Sequence, residues 1–438
     1  MPLYFFDREM LFDKTALEFA MGHSFRRPSS GLMRLNAKKV LVTGGTGFIG
    51  GRLVEKLMLE HNAAVRVLVR NFTRAPRIAR FDIQMFPGEI LDGPAVETAS
   101  KGCDVIFHCA YDFGGVQKDR KRSNVDGTEN VARAALKNGS RVVHVSTVNV
   151  YGWPLDGILE ETCPKSPGAD IYSQTKFAAE QVMWRYHRQH ALPLVIVQPT
   201  IVYGPFSRPW TLAVLERLKS NQAMLIDQGE GVCNAAYIDD VVDGLILGAT
   251  EPRAIGEEFL LSGPDYITWK EFYAGLENLI GRKGTVSISF EEAQRLASAV
   301  PSLGRRVIRA AKESSILRSA YKKSRVFLPE KMKERVTAAI ANIDGNTNGG
   351  VHSMNGKHII EPLDRSRLDL YRTRCRVKID KARRLLGYEP RFNFERGISV
   401  TGQFLRWAAL VPTNGDAWGE NMVERRPNCW EMGDAFSS

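Results

Sequence analysis

The chain has 438 residues, 44% hydrophobic and 25% charged, which is enough to fill one large core with a smaller satellite and is the composition of an ordinary globular protein. The formal charge of +11 is local, because residues 301–340 hold eleven Lys/Arg against three Glu, so a nucleic-acid-binding surface is not expected. Six scattered cysteines form no C-x-x-C pair and eight histidines form no H-E-x-x-H, which points to free thiols and no metal.

In chain order, residues 1–36 read as an N-terminal extension ending in the linker-like "SFRRPSSGLMRLN". Its start lacks the basic-then-apolar layout of a secretory signal, and no window approaches the roughly 18 apolar residues of a membrane span, so a cytoplasmic location is expected. "KKVLVTGG" is a β-branched run meeting glycines, "FIGGRLVEKLMLEH" has helical periodicity and "AVRVLVR" is a second strand. The alternation continues with "CDVIFHCA", the helical "NVDGTENVARAALKNG", "SRVVHVSTV", a helix over 170–190 and the strand "LPLVIVQPT". Near-continuous apolar strands alternating with helices predict an α/β fold: a Rossmann-type, doubly wound parallel sheet with a smaller C-terminal α/β substrate-binding region.

The expected division is a dinucleotide-binding core over 37–203, then 204–408 as mainly substrate-binding region with some returning core elements and an insertion at 282–358, then a tail over 409–438. The insertion contains the Gly/Asn-rich "NIDGNTNGGVHSMNG" and the basic 301–340 segment. That segment alternates apolar and basic residues in a loosely helical rhythm and reads as a solvated insertion, with contact to a membrane surface or an anionic substrate as the alternative.

"TGGTGFIG" sets Gly44, Gly47 and Gly50 after a strand and at the start of a helix. A dinucleotide pyrophosphate requires that arrangement: one glycine for the tight turn, one for close approach of backbone amides and one for close helix packing, with the helix N-terminus facing the phosphates. Gly44, Gly45, Thr46, Gly47, Phe48, Ile49 and Gly50 are therefore candidate cofactor residues. Arg70 ends the second strand, where an Asp or Glu would select NAD; its guanidinium, helped by Arg74 or Arg77, suits a 2′-phosphate, so the cofactor is expected to be NADP or NAD with NADP favoured.

The T-G-x-x-G-x-x-G variant, with Tyr172 and Lys176 four residues apart in "YSQTK", resembles the extended short-chain dehydrogenase/reductase family of the epimerase/dehydratase type. "HCA", "NVDGTENV", "VSTVNVYG", "VYGP" and "YIDDVVDG" support the resemblance over roughly residues 38–408. It implies an NAD(P)-dependent oxidoreductase or epimerase acting on a small molecule at a secondary alcohol or ketone, with a homodimer left open. It also implies Tyr172 as acid/base, Thr147 as hydrogen-bond partner of the substrate oxygen and Lys176 as holder of the nicotinamide ribose. Ala110, Asn124, Pro199 and Val202 are expected near the cofactor, with a helix N-cap as the alternative role of Asn124. Lys176 and the cofactor's positive ring are expected to lower the Tyr172 pKa.

Within the family, dehydratases carry acidic residues just after the Thr, whereas this chain has Val148 and Asn149, so dehydration is not expected. Nucleotide-sugar epimerases often carry arginines where this chain has Gln198 and Cys233, although Arg208 or the basic insertion could replace that charge. A nucleotide-sugar or related substrate is expected first, a ketone reductase or a hydroxysteroid- or dihydroflavonol-type dehydrogenase second, and a non-catalytic NAD(P)-binding protein third.

Overall fold

The computed structural model describes residues 35–113, 117–299 and 365–412. Seven strands, β1 (Lys39–Thr43), β2 (Ala64–Val69), β3 (Gln84–Pro87), β4 (Val105–His108), β5 (Arg141–Val145), β6 (Leu194–Pro199) and β7 (Glu257–Leu261), form one sheet. Their order is β7-β6-β5-β4-β1-β2-β3, and every neighbouring pair is parallel. The chain winds outward from β1 in one direction and from β4 in the other, so the sheet's switch point lies between β1 and β4. In open α/β sheets the ligand crevice opens outside the strand carboxyl ends at that point.

Period-two alternation divides the strand side chains between two cores. Val40, Val42, Phe107, Val143 and Val195 face one side, where α1 (Phe48–Leu59) and a later helix, Ile238–Thr250, supply Leu53, Leu57, Val241 and Leu245. Leu41, Ile106, Val142 and Ile196 face the other, against Val96, Val131, Ala135 and Met183 of α2 (Gly93–Ser100), α3 (Gly127–Asn138) and α4 (Ile171–His190). The helices on the first face are also pinned by charge: Arg52 makes a bidentate pair with Asp239 at 2.6 and 2.8 Å, and the buried Lys56 pairs with Asp243. β3, which periodicity does not single out, is a short, half-exposed edge strand with few apolar residues to give a pattern.

The remaining described chain adds pairs of very short strands. Residues 201–203 pair with 235–237, 232–233 with 267–268, and 376–377 with 158–159. Of the insertion expected at 282–358, residues 285–288 form a strand paired with 223–226 and residues 290–299 a helix. Residues 300–358 of that insertion, including 301–340, lie outside the described residues, as do residues 1–34 and the tail beyond 412. Leu35 of the expected N-terminal extension is fully buried in the core under the sheet. Among the described residues no helix is long and apolar enough to cross a membrane.

Candidate active site

The glycine turn leaves β1 at the switch point. Gly44 has φ +71°, and a side chain there would meet the Ala110 backbone at 2.7 Å, where the end of β4 crosses close behind. A side chain at Gly50 would meet the Gly44 carbonyl oxygen at 2.3 Å, so the third glycine lets the first turn of α1 sit directly on the loop. Gly45, Thr46 and Gly47 complete the turn, Phe48 and Ile49 open α1, and neither a capping side chain nor an acidic residue occupies its first turn. The helix's unpaired N–H groups and the positive end of its dipole therefore face the crevice, and the residues present fit a dinucleotide pyrophosphate.

Below this turn a hydrogen-bonded chain crosses the two central strands. The Thr128 hydroxyl donates to the Asn124 carbonyl at 2.7 Å, which leaves it to accept from His108 Nε2 at 3.0 Å. His108 Nδ1 then accepts from the Thr43 hydroxyl at 2.8 Å. Burial pushes His108 down to about 3, so this imidazole is a neutral structural link, in keeping with its apolar strand.

Asn124 lies in a π-type segment, Arg122–Asp126, that leads into α3 and does not cap it. Its carboxamide accepts from Asp112 N at 2.8 Å and donates to Asp112 O at 3.1 Å, clamping the loop that follows β4. That loop carries Tyr111 and Phe113. Tyr111 meets the Tyr172 ring edge-on at 5.0 Å, and Phe113, 68% exposed, lies nearly parallel to it with centroids 6.0 Å apart.

Thr147, Tyr172 and Lys176 come from two elements. Thr147 follows β5 in extended conformation, and its hydroxyl accepts from Asn149 N at 3.3 Å to cap the turn Val148–Tyr151. α4 starts where Asp170 accepts from Ser173 N at 2.8 Å, so Tyr172 sits in its first turn and Lys176 one turn later on the same face. Lys176 Nζ donates to Val145 O at 2.7 Å and lies 4.9 Å from the Tyr111 ring centroid.

The Tyr172 ring is half-exposed by area, but its phenol end is crowded, and that enclosure pushes the phenol up to about 12 against the opposing effect of the Thr147 hydroxyl. The expectation of a lowered value counted on Lys176 and the cofactor's positive ring; Lys176 is directed at the Val145 carbonyl, and enclosure by the protein pushes the phenol the other way. Lys176 itself is pushed down to about 8 by burial.

The other candidate residues divide. Ala110 adjoins the glycine turn, and Pro199 ends β6 with Val202 buried just beyond it. Arg70 follows β2, is 55% exposed on its side chain, and reaches Asp112 Oδ2 at 3.7 Å. Arg77 is not available to a phosphate, since its guanidinium is bidentate on Glu55 at 2.8 and 2.9 Å and stacks on Phe206 at 4.2 Å.

Gln198 and Cys233 are both fully buried. Gln198 donates to Glu180 at 2.9 Å beneath α4, so its identity serves the helix rather than the charge of the cleft. The cation at this place is Lys165, which reaches Glu180 at 2.6 Å and Glu258 at 2.5 Å. Sequence reasoning missed Tyr111, Phe113, Lys165 and Glu180. Glu180 had a signal, since it continues the four-residue spacing of Tyr172 and Lys176; Lys165 had none. Among the described residues no group of His, Cys, Asp and Glu could hold a metal ion.

The model of the NAD dependent epimerase/dehydratase family matches residues 40–261. A farnesyl dihydroquinoline-oxide ketoreductase of Stigmatella aurantiaca is 28% identical over 65% of this chain and 86% of its own length. A putative dihydroflavonol 4-reductase of Synechocystis sp. is 32% identical over 55% and 72%, and a UDP-glucose 4-epimerase of Vibrio cholerae 29% over 51% and 70%. Among solved structures, a UDP-glucuronic acid 4-epimerase of Bacillus cereus, in complex with UDP-glucuronic acid and NAD, superposes with a TM-score of 0.59 at 18% identity, covering 84% of this chain and 99% of its own.

Proposed function

The chain belongs to the NAD dependent epimerase/dehydratase family, whose members are NAD-dependent oxidoreductases and epimerases, and from that premise we propose that it transfers hydride at a secondary alcohol or ketone of an apolar, ring-bearing small molecule. The observation that carries this reading is the meeting of Thr147, Tyr172 and Lys176 under an aromatic wall of Tyr111 and Phe113, beside the glycine turn at the switch point. The nicotinamide cofactor, when bound, supplies or accepts the hydride. In the reducing direction the Tyr172 phenol, kept protonated by its enclosure, donates its proton to the carbonyl oxygen as that oxygen gains charge. Thr147 orients the same oxygen through its hydroxyl, and Lys176 leaves the Val145 carbonyl to hold the ribose hydroxyls. Asn124 acts through the loop it clamps, fixing Tyr111 above Lys176.

Two features favour an apolar substrate over a nucleotide sugar. Cys233, where epimerases carry an arginine for the diphosphate, is buried and uncharged, and the wall above Tyr172 is aromatic. The nucleotide-sugar reading keeps one observation: Arg372 and Arg374 line a cavity of about 210 Å³ with Leu155 and Asp156, just downstream of the Thr147 turn. There, however, they face Asp227 at 3.8 Å and Glu230 at 3.5 Å. NADP is the proposed preference, through Arg70 turning from Asp112 to a 2′-phosphate.

The test is turnover with added NADPH or NADH against aryl, steroid and 3-oxoalkyl ketones, run beside interconversion of UDP-sugars without added cofactor. Stoichiometric cofactor oxidation by a ketone supports the reading. Interconversion of a UDP-sugar with cofactor retained overturns it, as does inactivity with every ketone.

A further inference from the structure

The described part of the molecule holds one buried ionic cluster beside the hydride-transfer residues. Glu180, with none of its surface exposed, accepts from Lys165 Nζ at 2.6 Å on one oxygen and from Gln198 Nε2 at 2.9 Å on the other. Lys165 also donates to Glu258 at 2.5 Å, and the Tyr151 hydroxyl donates to Gln198 Oε1 at 3.0 Å. Tyr151 ends the turn that Thr147 caps, Glu180 lies on α4, and Gln198 on β6 bridges them. The cluster thus ties the element bearing Thr147 to the helix bearing Tyr172 and Lys176.

Its charge matters as well as its shape. Two carboxylates share one ammonium, so the cluster carries one excess negative charge, and Glu180 lies four residues beyond Lys176 on the same helix face. The other titratable groups around Lys176 are His108 and Cys109 at the end of β4, Tyr111 on the following loop, His144 on β5 and Tyr172 on α4. None is an anion at neutral pH: burial pushes Cys109 and Tyr172 each up to about 12 and Tyr111 upward, and pushes His108 down to about 3 and His144 far below the usual range. Burial also pushes the Glu180 carboxyl up, but both its oxygens accept from N–H donors, one of them an ammonium, which is the bonding of the deprotonated form. Glu180 is therefore the anion one helical turn from a lysine that burial pushes down to about 8, and its charge favours that lysine's protonated form.

We propose that Glu180, held by Lys165 and Gln198, is a positioning residue that keeps Lys176 in its ammonium form and locks the Thr147 turn to the Tyr172 helix. The inference rests on the reading of Lys176 as the residue that holds the cofactor ribose.

The experiment is fluorescence titration of the full chain with NADPH and with NADH across pH, which needs no substrate. In the wild type, affinity should fall as pH rises through about 8, where Lys176 loses its proton. Glu180→Gln, which preserves shape and removes the charge, should move that fall lower by about one pH unit and weaken binding about fivefold at pH 8, the drop in ammonium fraction for such a shift. Glu258→Gln removes the cluster's excess charge at a partly exposed position and should move the fall the same way by less, so the test survives a Glu180 variant that does not fold. Gln198→Met, which keeps the charge, should leave the midpoint in place.

A midpoint unmoved in both folded carboxamide variants, or unmoved in Glu258→Gln when Glu180→Gln does not fold, overturns the inference. So does a shift in Gln198→Met equal to that in Glu180→Gln. If the wild type has no such fall, or Lys176→Met retains it, the reading of Lys176 fails instead.

Discussion

The half that carries the proposed cofactor site and the C-terminal half of this molecule are built on different scales. From β1 to β6 the sheet is made of strands of four to six residues, and the glycine turn lies between β1 and the helix that directly follows it in sequence. Apart from β7, the C-terminal half is assembled from two- to four-residue strands whose partners lie far away, as when 376–377 joins 158–159, and its core brings Trp210 and Tyr371 from separate segments onto Trp269 and Phe272 of one helix. A long strand with its helix is specified by local periodicity, whereas a two-residue strand has almost no pattern of its own and exists because distant packing holds it. The proposed cofactor site therefore rests on local sequence, and the proposed substrate-binding region on long-range assembly.

The contrast is tested most strongly at Tyr172. Tyr172→Phe should lower turnover by 10² or more, as for loss of an acid/base, while NADPH affinity measured by fluorescence stays near that of the wild type. Retention of more than about a tenth of the activity would remove Tyr172 from the chemistry and leave the cofactor half a binding module alone.

Next, Trp269→Ala attacks the other half. Trp269 is fully buried and donates from Nε1 to Leu370 O at 3.2 Å. Its truncation should cost about 3–5 kcal/mol in denaturant unfolding. Cofactor affinity of the folded fraction should not change; a matching loss of affinity would mean that the two halves are one energetic unit.

Arg70→Asp probes a single side chain at the rim of the cofactor half. A charge-assisted contact to the 2′-phosphate is worth about 1.5–3 kcal/mol, so the wild type should bind NADPH on the order of 10- to 100-fold more tightly than NADH and the variant should reverse the order. Equal affinities in the wild type, or an unchanged ratio in the variant, sink the assignment.

The smallest effect concerns pH. His108 and His144 face each other across β4 and β5 with ring centroids 5.2 Å apart, and the described C-terminal half contains no histidine. Both folded-state values are depressed by burial, so below the unfolded value of about 6.5 the unfolded chain takes up protons that the folded chain refuses, and stability falls with falling pH. Neither His144 nitrogen has a hydrogen-bond partner, so His144→Leu removes no bond. The variant should lose about 1.4 kcal/mol less stability per pH unit between about pH 6 and 4 than the wild type. Parallel stability curves for the two proteins would show that His144 is charged in the fold.

By itself the sequence determined the parallel sheet, the glycine turn and the Tyr172–Lys176 helix face, because each depends on spacing within one or two neighbouring elements: period two in the strands, four residues along α4, three glycines between β1 and α1. Asn124, Arg77 and Gln198 could be located in the same way, but the partners they bond could not. Only tertiary structure decided that Asn124 clamps the Asp112 loop, that Arg77 is held by Glu55, and that Gln198 and Lys165 meet Glu180 beneath α4. Those roles are fixed by partners 12 to 22 residues away in sequence, and a polar side chain's function inside a protein is set by which donor or acceptor the fold brings within about 3 Å of it.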